Sequence, residues 1–215
     1  MITDLSLRYL VSPVTDAKLP LVLMLHGRGA DMHDLADLAD LLAAPGSCRF
    51  VFANAPRPFE PAPGMSFGWT WFDGWPPEGP SVKASRELLL TFIGELIERY
   101  QPPGLVLAGF SQGAMMALDA GLRSDVAGIV AMSGGLYEND LPDLSAKKGL
   151  PVLIAHGIHD DVVPVHFARR ARHVLEDAGL DVEYHEYPMQ HQVAQEEVDA
   201  VRRFLAARLL EKRPE

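Results

Sequence analysis

LVLAGFSQGAMMALDAGL, residues 105–122, sets a short apolar run before Gly-Phe-Ser-Gln-Gly and a longer apolar run after it. The first run has the length of a buried strand, and the second has the length and composition of a helix. Ser111 therefore falls in a sharp turn between strand and helix, which is the context that a nucleophile elbow requires. Gly109 and Gly113 keep side chains from clashing in such a turn, and the helix N-terminus directs its dipole at the reacting centre. The stretch predicts a strand–turn–helix unit with Ser111 as the nucleophile.

Strand and helix patterns alternate in both directions from this unit. Solid apolar strands separated by helices indicate an α/β fold with a mostly parallel central sheet of about seven strands, flanked by helices on both faces. The opening strand is more polar and fits an antiparallel edge. No linker divides the chain, so we expect residues 1–215 to form a single domain. The predicted strands span residues 5–12, 20–26, 48–53, 105–110, 126–132, 150–155 and 182–187, and the predicted helices span residues 34–44, 81–100, 112–122, 166–178 and 193–210.

Composition and charge narrow the class of protein. The 215 residues are 48% hydrophobic and 22% charged, which is ordinary for a soluble globular protein. No apolar run reaches the ~18 residues needed to span a membrane, and the N-terminus lacks the features of a signal peptide. Cys48 is the single cysteine, so an intrachain disulfide is excluded and a cytoplasmic location is expected. The net charge of −10 disfavours nucleic acid and anionic membranes as partners.

The position of His191 makes it the predicted general base. A serine hydroxyl is a poor nucleophile without a base, and after an elbow of this kind the acid and then the histidine follow in chain order. His191 lies in the loop after strand 182–187, at the edge where open α/β sheets place their ligands. His185 lies inside that strand, whereas His166 and His173 lie on a helix and are expected to be exposed.

The acid that orients the base is expected after strand 150–155. That strand ends in His-Gly-Ile-His-Asp-Asp, so Asp160 and Asp161 are both candidates, and spacing alone does not choose between them. His156, His159 and Asp160 could also suggest a metal site. They lack the fixed spacing of ligands on one helix face, however, and the triad explains them more simply, so no metal is predicted.

Two backbone N–H groups are predicted to stabilise an oxyanion. One belongs to Gln112, directly after the nucleophile, and the other to Arg28, in the loop His-Gly-Arg-Gly-Ala-Asp at residues 26–31. The glycines of this loop allow its backbone to approach a substrate closely. The loop lacks the third glycine of a dinucleotide fingerprint and the Gly-Lys-Ser/Thr of a phosphate-binding loop. No cofactor is therefore implied.

Two long loops interrupt the pattern. Residues 56–80 are rich in Pro and Gly and contain all three tryptophans, and a loop of this length in a compact domain is usually functional. We expect its aromatic part either to wall a substrate pocket or to plug the end of the sheet, with equal weight. Residues 134–149 are interpreted as plain surface. The pocket candidates are Met65, Trp69, Trp71 and Phe72.

Together these motifs resemble the phospholipase/carboxylesterase family of α/β-hydrolases, which includes the acyl-protein thioesterases. The matching pieces occur in family order over nearly the whole chain. They are Leu25-His26-Gly27-x-Gly29, Trp71-Phe72-Asp73, Gly109-Phe110-Ser111-Gln112-Gly113, Ser133-Gly134, His156-Gly157-x-x-Asp160-x-x-Val163-Pro164 and His191.

The resemblance implies an α/β-hydrolase fold without a large cap domain, and it places the catalytic acid on Asp160. It also implies Ser111 as nucleophile, His191 as base, and the N–H groups of Arg28 and Gln112 as oxyanion donors. Family members often carry a small apolar residue or Leu in place of Arg28. The Arg28 side chain is therefore expected to narrow the pocket or to bind a polar group of the substrate.

The expected activity is hydrolysis of short- to medium-chain carboxylic esters through an acyl-enzyme. The alternatives are hydrolysis of acyl-thioesters or lysolipids by the same residues, and a catalytically silent fold that binds a small molecule. The expected partner is a small-molecule ester, without nucleic acid and without membrane insertion. The aromatic residues of the long loop are compatible with a homodimer.

Overall fold

A computed structural model describes residues 2–14, 16, 18–44 and 46–210. Within these residues the chain forms a seven-stranded sheet and a separate two-stranded hairpin. The strands are β1 (Tyr9–Val11), β2 (Leu21–Leu25), β3 (Arg49–Ala53), β4 (Arg57–Pro58), β5 (Trp69–Thr70), β6 (Leu105–Phe110), β7 (Gly128–Met132), β8 (Pro151–Gly157) and β9 (Asp181–Tyr187). The helices are α1 (Ala39–Leu42), α2 (Gly79–Tyr100), α3 (Gln112–Gly121), α4 (His166–Asp177) and α5 (Gln195–Leu205).

The large sheet has the order β1-β3-β2-β6-β7-β8-β9. Strand β1 runs antiparallel to β3, and the other neighbouring strands pair in parallel. The prediction of a mostly parallel sheet of about seven strands with an antiparallel edge is therefore confirmed. Strands β2 and β6 are paired along their length, from Leu21 opposite Leu105 to Leu25 opposite Gly109. This pairing brings the ends of the two strands that lead into the predicted site side by side.

Helices cover both faces of the sheet, as solid apolar strands require. Apolar side chains of α2, α3 and α4 form one buried cluster with one face of the sheet. Side chains of α1 and α5 form a second cluster with the other face. Helix α2 buries Val82, Leu89, Phe92 and Leu96 at helical spacing and ends where Gln101 adopts a left-handed conformation (φ 44°).

The first and last predicted elements are shorter than expected. Strand β1 covers part of the predicted strand 5–12, because the chain bends between Asp4 and Leu7. The bend is fixed where the backbone N–H and the hydroxyl of Ser6 both donate to Glu95 Oε2, at 2.9 and 2.7 Å. At the other end, α5 gives way at Ala206–Leu210 to one wider, π-type turn.

The predicted helix 34–44 is only partly confirmed. A 3₁₀ turn at Ala36–Leu38 precedes the short helix α1, and Pro45, the residue after the predicted helix, lies outside the described residues. Leu41, one of the leucines in this segment, is 47% exposed, so it does not belong to an apolar helix face. Neither the 3₁₀ turn nor α1 has a side-chain cap on its first residues, so local signals do not extend the helix.

The two long loops also differ from expectation. Residues 56–80 contain the hairpin of β4 and β5, and Trp69 pairs with Ala30 in an isolated antiparallel bridge. Residues 134–149 are not plain surface, because Gly134, Gly135 and Tyr137 are buried. A Cβ atom on Gly134 would lie 3.1 Å from the carbonyl oxygen of Ser111. The start of this loop therefore packs directly against the predicted nucleophile. No helix in the described part of the chain is long and apolar enough to cross a membrane.

Candidate active site

Ser111 lies in a strained turn between β6 and α3. Its backbone angles are φ 57° and ψ −120°, a region that side chains other than glycine rarely adopt. The flanking glycines are required by close packing. A Cβ on Gly109 would lie 2.3 Å from the backbone of Gly113, and a Cβ on Gly113 would lie 2.0 Å from the carbonyl oxygen of Leu25. The predicted strand–turn–helix unit is therefore present, and the serine projects from its apex.

Ser111, His191 and Asp160 form one hydrogen-bonded chain. His191 Nε2 lies 2.9 Å from Ser111 Oγ, and His191 Nδ1 lies 2.7 Å from Asp160 Oδ2. Because an ionised carboxylate can only accept, Nδ1 carries the proton and Nε2 is free to accept the serine hydroxyl hydrogen. This is the arrangement in which a histidine removes a proton from a serine and a carboxylate orients the ring. The structure brings together Ser111 and His191, which chain order selected, and Asp160, which the family resemblance selected.

Asp160, rather than Asp161, contacts the base. Asp160 is buried, and its Oδ1 accepts the backbone N–H groups of Val162 and Val163 at 2.9 and 2.8 Å. These two bonds leave Oδ2 directed at His191. The Asp161 side chain is exposed, so the choice that spacing left open is made by the turn that follows β8.

His156 is a neighbour of Asp160 to which the sequence assigned no role beyond a rejected metal site and a place in the family motif. It is fully buried at the end of β8, and its Nε2 donates to the carbonyl oxygen of Val163 at 2.7 Å. The same nitrogen lies 3.4 Å from Asp160 Oδ2. Burial lowers the pKa of His156, and its Nδ1 has no hydrogen-bond partner among the described residues. The ring is therefore a neutral support for the turn that carries Asp160. The described residues hold no group of three or more histidine, cysteine or acidic side chains placed to bind a metal ion.

The predicted oxyanion loop lies against the nucleophile. A Cβ on Gly27 would lie 3.3 Å from Ser111 Cβ, so the missing side chain allows this approach. Within the described residues, the N–H groups of Arg28 and Gln112 donate to no backbone carbonyl. Both predicted donors therefore remain available to a substrate oxygen.

His26 holds the start of this loop in place. Its Nδ1 lies 2.7 Å from the carbonyl oxygen of Gly27, and its Nε2 accepts the N–H of Ala55 at 3.0 Å. The His26 carbonyl oxygen accepts the indole N–H of Trp71 at 2.9 Å. Since these bonds require a neutral ring with the proton on Nδ1, they agree with the burial that lowers the pKa of His26.

The side chain of Gln112 has a role that the sequence did not reveal. Its Oε1 accepts the hydroxyl of Thr70 at 3.0 Å and the N–H of Trp71 at 3.1 Å, and its Nε2 donates to the carbonyl oxygen of Phe72 at 2.8 Å. The first residue of α3 is thereby attached to the long aromatic loop. One residue therefore supplies a predicted oxyanion donor and fixes the segment beside it.

The cavity at Ser111 has a volume of about 260 Å³, and its walls differ from those predicted. Trp71 is completely buried, Trp69 packs under the guanidinium of Arg8, and Met65 is 50% exposed. Phe72 lines a neighbouring cavity instead. Trp69 and Trp71 therefore fit the alternative in which the aromatic residues fill the end of the sheet, because each contacts other residues of the fold. The walls are formed by Arg28, Trp75, Ser111, Gln112, Met115, Val162 and Val163.

The seven-stranded order, the elbow after β6 and the acid and histidine at later strand ends define an α/β-hydrolase fold. No large cap is inserted in the described chain. Residues 9–209 match the model of the phospholipase/carboxylesterase family, so the chain belongs to this family of serine hydrolases.

Similar proteins carry two kinds of names. The crystal structure of esterase PE8 superposes with a TM-score of 0.83 at 32% sequence identity, covering 94% of this chain and 99% of the other. Acyl-protein thioesterase 1 of Neurospora crassa is 29% identical over 87% of this chain and 86% of its own length. A probable carboxylesterase of Oryza sativa subsp. japonica is also 29% identical, over 87% of this chain and 88% of its own length. These similarities support hydrolysis of an ester or thioester bond.

Proposed function

We propose that this protein hydrolyses short- to medium-chain carboxylic esters through a Ser111–His191–Asp160 triad and an acyl-enzyme. The observation that carries the proposal is the continuous hydrogen-bonded chain from Ser111 Oγ through the His191 ring to Asp160. A surface serine without a catalytic role has no need of a strained backbone or of a histidine with its free nitrogen on the hydroxyl.

In the acylation step, Ser111 Oγ attacks the ester carbonyl carbon while its proton passes to His191 Nε2. Asp160 stabilises the imidazolium that forms. The N–H groups of Arg28 and Gln112 donate to the oxyanion, an interaction worth roughly 3 kcal/mol for each donor. The carbon–oxygen bond to the alcohol then breaks, and His191 returns its proton to the departing alkoxide.

In the deacylation step, a water molecule takes the place of the alcohol. His191 accepts a proton from the water as the water oxygen bonds to the acyl carbon, and the same N–H donors again hold the oxyanion. Collapse of the intermediate breaks the bond to Ser111 Oγ, and the proton on His191 returns to the serine. No cofactor takes part in these two steps.

The cavity supports the short- to medium-chain range of acyl groups. It is small, at about 260 Å³, and Trp75, Met115 and Val162 give it apolar walls. Apolar walls favour the alkyl part of an acyl group. The second candidate is a thioesterase, which the similarity to acyl-protein thioesterase 1 favours. Ester and thioester hydrolysis use the same residues, so the two activities have to be distinguished by assays with both kinds of substrate.

The test compares the wild type with Ser111→Ala on p-nitrophenyl esters from acetate to palmitate, and on acyl-thioesters of matched chain length. We expect the wild type to prefer the shorter esters, and Ser111→Ala to lower kcat by roughly 10⁴-fold or more. A wild type that cleaves only the thioesters would support the second candidate. Inactivity on every substrate, together with no labelling of Ser111 by a fluorophosphonate, would contradict both and favour a silent binding fold.

A further inference from the structure

The side chain of Arg28 lies where two cavities meet. It lines the cavity of about 260 Å³ that contains Ser111, and it also lines a second cavity of about 500 Å³. The second cavity is bounded mainly by the hairpin of β4 and β5 and by the residues that follow it, among them Arg57, Thr70 and Asp73. A substrate bound at Ser111 therefore has a guanidinium at the boundary of its site.

The Arg28 guanidinium has most of its hydrogen-bonding capacity free. One terminal nitrogen donates to the carbonyl oxygen of Gly74 at 2.8 Å, and the group faces the ring of Phe59 at 5.8 Å. Within the described residues, no carboxylate lies within ion-pair distance of Arg28. A guanidinium carries five N–H donors in a planar fork that matches a carboxylate. Among the described residues, the other N–H donors of this guanidinium have no hydrogen-bond partner, and the residue lines the cavity beside the nucleophile.

The neighbouring arginine provides an internal comparison. Arg57 lines the same second cavity, but its side chain is paired with Asp73 and also donates to the carbonyl oxygen of Trp71 at 3.3 Å. Its charge and that of Asp73 are therefore mutually compensated. Among the described residues that form the walls of the cavity at Ser111, Arg28 is the single charged one.

The guanidinium is also held at a defined distance from the reacting centre. The backbone of Arg28 is fixed by the oxyanion loop, and the carbonyl oxygen of Gly74 restrains the far end of the side chain. Gly74 adopts a positive φ of 76°, and a Cβ there would lie 2.9 Å from the carbonyl oxygen of Pro76. This tight turn presents the carbonyl to Arg28. The positive charge is therefore held at the far end of the Arg28 side chain, away from the backbone N–H that is proposed to bind the oxyanion.

We propose that Arg28 binds a carboxylate of the substrate, so that the preferred substrates are esters carrying a carboxylate several bonds from the scissile carbonyl. The inference rests on the proposed esterase function. The carboxylate could belong to the acyl chain, as in a monoester of a dicarboxylic acid, or to the alcohol. The apolar residues Trp75, Met115 and Val162 offer it no alternative partner in the cavity at Ser111. A bidentate, charge-assisted pair gives Arg28 both affinity and orientation.

The experiment compares two matched pairs of esters, one for each source of the carboxylate. The acyl-side pair is mono-p-nitrophenyl adipate against p-nitrophenyl hexanoate. The alcohol-side pair is p-carboxyphenyl hexanoate against its p-methoxycarbonyl analogue. For each pair, the ratio of kcat/KM for the anionic ester to that for the neutral ester is measured in the wild type and in the variants Arg28→Gln and Arg28→Lys. Arg203→Gln, on the exposed face of α5, removes the same charge away from the cleft and is the control.

We expect Arg28→Gln to lower the ratio by about tenfold or more in one pair, which identifies the side that carries the carboxylate. Arg28→Lys is expected to keep part of the preference for the anionic ester, because it keeps the charge and loses the planar fork. Arg203→Gln is expected to keep the full wild-type ratio. Added salt lowers the wild-type ratio towards that of Arg28→Gln, since the cleft is open to screening ions.

Unchanged ratios in both pairs, with the wild type active on the neutral esters, would overturn the role of Arg28 and leave the esterase function intact. An equal loss in Arg28→Gln and Arg203→Gln would overturn it as well, because net charge alone would then explain the preference. Absence of hydrolysis of all four esters, without fluorophosphonate labelling of Ser111, would instead overturn the proposed function and with it this inference.

Discussion

The orientation of the Asp160 carboxylate is fixed by hydrogen bonds from neighbouring residues. Two N–H groups of the turn that follows it bind its Oδ1, and Val163 in that turn is bound in return by the ring of His156. The histidine at the end of β8 thus closes a loop of hydrogen bonds around the acid. A change at His156 releases the Val163 carbonyl and allows the carboxylate to move away from His191. This makes His156 a positioning residue.

Replacing His156 with Ala is expected to lower kcat by roughly 100-fold, the scale associated with a misplacement of about 1 Å. His156→Gln retains an amide N–H that can reach the Val163 carbonyl, so it is expected to recover most of kcat. The measurement is kcat, KM and Tm for both variants on one p-nitrophenyl ester. A purely structural role would lower Tm in both variants without the recovery of kcat by Gln. Full kcat in His156→Ala would contradict the positioning role.

The residues of the proposed triad could be predicted from the sequence because their signals are local. Ser111 lies in a short motif between a strand and a helix, and His191 and Asp160 follow the ends of predicted strands. The supporting roles of Gln112 and Trp71 could not be predicted in this way. The Gln112 side chain binds residues about 40 positions earlier in the chain, and hydrophobic periodicity carries no information on such pairs. The same limit explains why Met65, Trp69, Trp71 and Phe72 are not among the walls of the cavity at Ser111.

The packing of α3 against β2 determines the position of the elbow. Gly113 lies one residue into α3 from Gln112, and its backbone touches the end of β2 so closely that even one methyl group has no space. The first N–H of the helix and the loop after β2 supply the two predicted oxyanion donors. Their separation therefore depends on how closely this helix and this strand approach each other.

Gly113→Ala is expected to destabilise the fold by about 1–3 kcal/mol and to lower kcat, because the added Cβ would lie 2.0 Å from the carbonyl oxygen of Leu25. The variant pushes α3 away from β2 and separates the two donors. Gly94→Ala on α2 is the matched control, since a Cβ there meets nothing within 4 Å. That exposed helix position is expected to gain about 0.5–1 kcal/mol with unchanged kcat. Urea unfolding and ester hydrolysis measure both effects, and a Gly113→Ala variant that behaves like Gly94→Ala would refute the packing argument.

The predictability of the elements followed their burial. Strands β2, β3, β6, β7 and β8 lie within two residues of their predicted bounds, because each is an apolar run whose ends are marked by polar or turn residues. Strand β9 also lies within one residue of its predicted bounds, although it mixes polar and apolar residues and is half-buried. Helix α1 was predicted too long, because a row of leucines in residues 34–44 imitates an apolar helix face. In the structure the 3₁₀ turn before α1 changes the periodicity, so Leu41 points to solvent.

Buried ionisable groups are expected to lower the stability of the whole molecule at both low and high pH. Burial lowers the pKa of both His26 and His156. Below the ordinary histidine pKa of ~6.5, these two histidines bind protons in the unfolded chain but stay neutral in the folded chain. The free energy of unfolding therefore falls as the pH decreases. Glu197 acts in the other direction. It is fully buried at the start of α5, neither carboxyl oxygen has a hydrogen-bond partner among the described residues, and desolvation raises its pKa to about 8.

Because the unfolded pKa of a glutamate is ~4.3, the unfolded chain loses a proton in the interval up to pH 8 that folded Glu197 keeps. The free energy of unfolding then falls as the pH rises, by at most ~1.4 kcal/mol per pH unit. Glu197→Gln removes the titration and keeps a side chain suited to the third position of a helix. We expect its Tm to exceed that of the wild type by about 10 °C more at pH 8 than at pH 5. Glu196→Gln, the exposed neighbour in the same turn, is the control and should show no such difference. Equal pH profiles of Tm for wild type and Glu197→Gln would mean that Glu197 is already ionised in the folded protein, and that the alkaline limit of stability arises from another group.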